Sequence, residues 1–131
     1  MASTSEKEVE KSILEFLEWY PGYYWKNNSV GVYDARKQVY RKAKSKYIIN
    51  GVSDILGVVN GKFVAIEVKS AKGRLSESQK DFMHQVKDKG GIAFVARCIE
   101  DVKRNLQDEF TTARQRDVQN SLSKAADVSE M

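Results

Sequence analysis

The sequence predicts one α/β domain with a mixed central sheet flanked by helices. Three observations carry that expectation. Asn60-Gly61 stands between two runs rich in Val and Ile, the signature of a hairpin with a two-residue turn. Stretches with apolar residues at helical spacing lie on both sides of that hairpin. A short apolar run, Ile92 to Cys98, follows the second of these stretches. A strand–helix–strand crossover then succeeds an antiparallel meander, so the sheet must contain both kinds of pairing.

The elements follow in order. Val9, Ile13, Phe16 and Leu17 recur at helical spacing over residues 5–19, and Ser5 with Glu8 fits a capping box. Pro21-Gly22 stops this helix. Residues 23–27 are aromatic enough for a strand. Residues 34–47 form a basic stretch, a loop or a hairpin. The Asn60-Gly61 hairpin comes next. Ser76 opens a second helix that runs to about Lys89, where Gly90-Gly91 ends it. Ile92 to Cys98 reads as a buried strand, with Cys98 inside it. A last helix starts near Ile99 or Glu100 and includes Val102 and Leu106. Residues 1–110 are expected to hold the folded domain. Residues 111–131 are polar and read as a tail or a solvated helix.

Composition sets outer limits. The 131 residues suffice for one modest core, and 41% hydrophobic content fits a globular chain. A net charge of +4 and a pI near 9.1 permit a nucleic-acid partner without requiring one. The single cysteine excludes an internal disulfide and a cysteine zinc cluster. The single histidine, His84, lies in a polar helical stretch and reads as a surface residue. The N-terminus is polar and charged, and no membrane span is visible, so a cytoplasmic location is expected.

Chemistry enters through the hairpin register. With a tight turn, Val59 opposes Lys62, and counting outward puts Asp54 opposite Glu67. Glu67 and Lys69 share a face, and Lys69 is a diagonal neighbour of Asp54. Two facing acids repel and weaken a sheet. A divalent cation removes the conflict, and paired carboxylate oxygens suit Mg²⁺ or Mn²⁺. Asp54 and Glu67 are therefore candidate metal ligands, with the Val68 carbonyl as a third. Lys69 is placed to act on water or on a charged transition state. A second cationic feature precedes the hairpin. Arg36, Lys37, Arg41, Lys42, Lys44 and Lys46 are interleaved with Tyr40 and Tyr47, and Asp34 is the one acid of that stretch. Such a stretch grips phosphates without reading bases. A solvated basic loop is the alternative.

The pattern Ser53-Asp54, Glu67-Val68-Lys69 and Ser76-Glu77-Ser78-Gln79 resembles the PD-(D/E)xK nuclease superfamily. Within it, the chain is most similar to the small stand-alone VRR-NUC domains of phages and bacteria. The resemblance covers roughly residues 6–102. A D…ExK triplet alone is weakly specific. Its combination with the G-x-S-D segment, the Asn-Gly hairpin, the S-x-x-Q helix start and an upstream helical glutamate is far more so. Ser53 stands where the superfamily name has proline. The resemblance implies a restriction-endonuclease-like αβββαβ core and a Mg²⁺- or Mn²⁺-dependent endodeoxyribonuclease. It also implies a glutamate on the first helix, for which Glu10 is the best match and Glu6 and Glu8 compete. Gln79 matches a helix glutamine near the lysine, and it fits a capping box equally well. Lys26 matches a family lysine, with an exposed strand lysine as the alternative.

Stand-alone members resemble Holliday-junction resolvases that work as homodimers in phage replication or repair. Branched DNA and a second copy of the chain are thus the implied partners. Tyr23, Tyr24, Trp25 and Tyr33 are interface candidates. Cleavage of flaps, nicks or linear DNA remains open, as does a basic DNA-binding module without catalysis.

Overall fold

In the computed structural model, residues 5–28, 32–34, 39–41 and 45–127 are described. Helix α1 spans Glu6–Leu17, and the Ser5 hydroxyl accepts from the Glu8 N–H at 3.2 Å to cap it. Strand β1 is Tyr23–Lys26. Strands β2 (Val32–Asp34) and β3 (Val39–Arg41) pair with each other as a separate two-stranded hairpin. Strands β4 (Ile55–Val59) and β5 (Lys62–Val68) flank the Asn-Gly turn. Helix α2 (Glu77–Asp88), strand β6 (Ile92–Ala96) and helix α3 (Ile99–Asp127) complete the chain.

The main sheet runs β1-β4-β5-β6. Its first two pairings are antiparallel and the β5–β6 pairing is parallel, which makes the sheet mixed as expected. The turn is formed by left-handed residues, Asn60 at φ 52° and Gly61 at φ 73°. Asn60 is also tied to α3. Its side-chain amide donates to the Glu109 carbonyl at 2.9 Å and to the Glu109 carboxylate at 2.7 Å. Lys62 closes the same contact at 2.6 Å from the other side.

Alternation along the strands sorts side chains onto two faces. On one face Ile55, Val59, Val64, Ile66, Val68, Phe94 and Ala96 meet Val9, Ile13 and Leu17 of α1 and Val102, Leu106, Phe110 and Ala113 of α3. On the other face Ala65 and Ala93 pack against Met83 of α2, with Leu56, Phe82, Val86 and Val95 around them. The α2 side of the sheet is covered toward β5 and β6. Toward β1, β4 and the first residues of β5 it leaves Tyr23, Trp25, Val58 and Phe63 exposed.

One expectation changes at the chain's later elements. Cys98 is exposed, because β6 ends at Ala96 and the cysteine falls in the bend before α3. Helix α3 runs unbroken through residues 110–111. Phe110 and Ala113 still bury into the core, and residues 114–123 face solvent. The polar stretch is thus a solvated continuation of a core helix over that length.

Candidate active site

The site forms where β4 and β5 begin to part. Ile55 pairs with Ile66, so the next position outward sets Asp54 against Glu67, the register counted from the turn. Asp54 lies just before β4. Its carbonyl accepts from the Asn27 N–H at 2.8 Å, which fixes the end of β1 beside it. One of its carboxylate oxygens accepts from the Val68 N–H at 2.8 Å. In extended backbone the N–H and C=O of one residue point to the same neighbour. The Val68 carbonyl is therefore directed to the Asp54 side as well.

Glu67 is 2% exposed, a rare state for a carboxylate. Its Oε1 accepts from Gln79 Nε2 at 3.0 Å, and its Oε2 is buried without a hydrogen-bond partner. Burial pushes its pKa up to about 8, and the charge of Asp54 beside it adds to the rise. Lys69 opposes the shift and Glu6 reinforces it. A buried carboxylate beside a second acid is costly in its charged form unless a proton or a cation completes the pair. The donors are hard oxygens, two carboxylates and a directed carbonyl. Mg²⁺ fits such a set, since it is usually held by one or two carboxylates plus substrate phosphate and water. Among the described residues no third His, Cys, Asp or Glu joins the pair to form a closed cage.

Gln79 makes two kinds of contact. Its Oε1 accepts from the Ser76 N–H at 2.8 Å in a complete capping box, while its Nε2 holds Glu67. The first turn of α2 is itself located by Gly51. At φ +78° a side chain there is strained, and a Cβ would come within 2.6 Å of the Gln79 nitrogen and run into the Ser78 carbonyl. Gly51→Ala is expected to destabilise the protein by about 2 kcal/mol or more in urea unfolding. A variant as stable as wild type would show that this packing carries no weight.

The remaining expected residues divide. Lys69 is half-buried, and its N–H donates to the Ala96 carbonyl at 3.1 Å. Its Cδ and the Glu6 Oε1 both crowd Gly73, at 3.2 and 3.0 Å from where a Cβ would sit. Glu6 is thus the α1 carboxylate that stands beside Lys69 and whose charge reaches Glu67. Glu10, one turn further along the helix, forms an ion pair with Lys26 at 3.0 Å. Of the basic stretch, Lys46 is exposed and Arg41 lies on β3. Arg36, Lys37, Lys42 and Lys44 lie outside the described residues.

Three basic residues that the motif does not mark stand at this edge. Arg97 donates to the carbonyls of Ser70 and, at 2.9 Å, Gly73, so it clamps the loop that follows Lys69. That loop presents Lys72 and Arg74 to solvent. The run Lys69-Ser70-Ala71-Lys72-Gly73-Arg74 was the available signal for the latter two.

Comparison with known proteins agrees with this fold. The family model for the VRR-NUC domain matches residues 6–99. A solved structure described as a VRR-NUC domain protein superposes with a TM-score of 0.62 at 16% identity, over 84% of this chain and 91% of that one. No curated protein matches. Among the described residues no helix is long and apolar enough to cross a membrane. With the α/β fold, the facing Asp54 and Glu67 and the family match over most of its length, the chain belongs to the VRR-NUC family of nucleases, in the PD-(D/E)xK superfamily.

Proposed function

We propose that the protein is a Mg²⁺- or Mn²⁺-dependent endonuclease that hydrolyses phosphodiester bonds in branched DNA, four-way junctions first among them. The observation that carries this reading is the buried Glu67 facing Asp54 with one carboxylate oxygen unpartnered. Asp54, Glu67 and the Val68 carbonyl would hold the cation, which supplies Lewis acidity to the scissile phosphate and to water. Gln79 holds Glu67 by donating to its Oε1 at 3.0 Å. Lys69 donates N–H hydrogen bonds from its ammonium to the phosphate as negative charge grows on the nonbridging oxygens. Glu6 borders the same glycine, Gly73, as the Lys69 side chain. Lys72, Arg74 and Lys46 face solvent and are placed for backbone phosphates.

A homodimer is part of the proposal, because paired incisions across a symmetric junction need two sites in fixed relation. The exposed row Tyr23–Val58–Phe63, with Trp25 beside it, is the apolar surface that supports it. Tyr24 is not part of that surface, since it packs against the core and donates its hydroxyl to the Pro21 carbonyl at 3.0 Å. The Tyr33 side chain lies outside the described residues.

The test is purified protein with Mn²⁺ or Mg²⁺ against four-way, flap, nicked and linear DNA, with light scattering at micromolar concentration. Cleavage of four-way junctions by a dimer is expected. A monomer that cuts flaps and spares junctions would replace the resolvase reading with the flap-cleaving one. Calorimetric titration of Mn²⁺ adds a direct check, since binding to wild type should be lost in Glu67→Ala. Equal binding in both would remove Glu67 from the metal site.

A further inference from the structure

The segment entering the catalytic strand carries three consecutive large apolar side chains in water. Tyr47 is 80% exposed, Ile48 56% and Ile49 62%. They are displayed by a closed turn. The Ile48 N–H donates to the Ser45 carbonyl and the Tyr47 N–H to the Ser45 hydroxyl, each at 3.2 Å. Lys46 lies 5.1 Å from the centre of the Tyr47 ring, so the aromatic tip is paired with a cation. Two residues beyond Ile49, Gly51 rests on the first turn of α2, the turn whose Gln79 holds Glu67. Asp54 follows Ile49 by five residues, which limits their separation to about 17 Å, roughly five base-pair rises.

We infer that Tyr47, Ile48 and Ile49 form a wedge that enters an unstacked step of branched DNA beside the active site. The inference rests on the nuclease reading and adds how the substrate would be recognised. An apolar tip that parts bases is most useful where stacking is already interrupted, at a branch or a strand end. The sequence around the tip supplies the electrostatic match. Arg36, Lys37, Arg41, Lys42, Lys44 and Lys46 precede it without an intervening acid. That charge draws a polyanion and opposes a second copy of the same cationic segment. DNA therefore fits this surface better than self-association does. Tyr47 offers a ring on which a freed base can stack, and Ile48 and Ile49 offer bulk to fill the gap.

The test compares wild type with the triple variant Tyr47→Ser, Ile48→Ser, Ile49→Ser. All three side chains are exposed, so melting temperatures should match. Binding is read on a four-way junction and a flap carrying 2-aminopurine at the branch, with Ca²⁺ in place of the supporting metal to suppress cutting. Wild type should raise the 2-aminopurine signal, and the variant should not. With Mn²⁺, the variant should lose about tenfold in cleavage of branched DNA while its cleavage of linear duplex, which offers no unstacked step, is unchanged. An equal 2-aminopurine response in both proteins would overturn the wedge. So would an equal loss on branched DNA and linear duplex, which would make the turn a support for the site. A variant that turns from dimer to monomer in light scattering would instead assign the surface to self-association. If wild type cuts nothing, the nuclease reading fails on its own, and the fluorescence arm still decides whether the turn parts bases.

Discussion

Glu67→Gln is expected to make the metal-free protein melt higher than wild type at pH 8.5 while removing cleavage. In the folded chain Glu67 keeps its proton to about pH 8, against 4.5 in the unfolded chain. Between those values the folded state binds the extra proton, so stability falls as pH rises from 4.5 to 8 and stays low above it. Glutamine is uncharged at every pH. Its carbonyl can accept from Gln79, and its amide can face Asp54 where an acid oxygen now lacks a partner. A gain of about 2 kcal/mol corresponds to roughly 5–10 °C. At pH 5 the two proteins should differ by far less, because wild type then carries the proton. Thermal melts in chelator at both pH values check this. Equal melting points at pH 8.5 would mean that the buried acid carries no penalty, and the argument for a cation at this place would weaken with it.

Lys69→Ala is expected to lower the cleavage rate by about 10³-fold while leaving DNA affinity within a few-fold of wild type. The ammonium is one of several cations at the site edge, with Lys72 and Arg74 on the adjacent loop, so ground-state binding is shared. Charge growing on the reacting phosphate is not shared in the same way. Single-turnover cleavage with a parallel binding isotherm separates the two effects. A fall in affinity that accounts for the whole loss of rate would recast Lys69 as a phosphate anchor.

The core of the site was legible because a two-residue turn leaves no freedom in register. Once Asn60-Gly61 is a turn, Asp54 and Glu67 must face each other, and Lys69 must share their side of the sheet. The Ser76–Gln79 spacing likewise disclosed the cap. That the same glutamine reaches Glu67 depends on where α2 lies, which local spacing does not encode. Glu6 and Glu10 lie one helical turn apart on one stripe, so sequence alone does not separate them. Their surroundings do: Glu6 borders Gly73 together with the Lys69 side chain, and Glu10 pairs with Lys26. Arg97 left no trace in the pattern, since it binds loop carbonyls that any residues supply. The extent of α3 was hidden for a different reason. A polar sequence reads the same as coil or as solvated helix until the buried turn that feeds it is seen.

Gln79 couples two events that would otherwise be independent. Its one amide group both closes the first turn of α2 and supplies the hydrogen-bond donor to Glu67. Each time that turn frays, Glu67 loses its donor and water gains a path to the acid. Amide hydrogen exchange at Ser76 and Gln79 is thus a clock for how often the buried carboxylate is bared, and anything that anchors Glu67 from the other side should slow it.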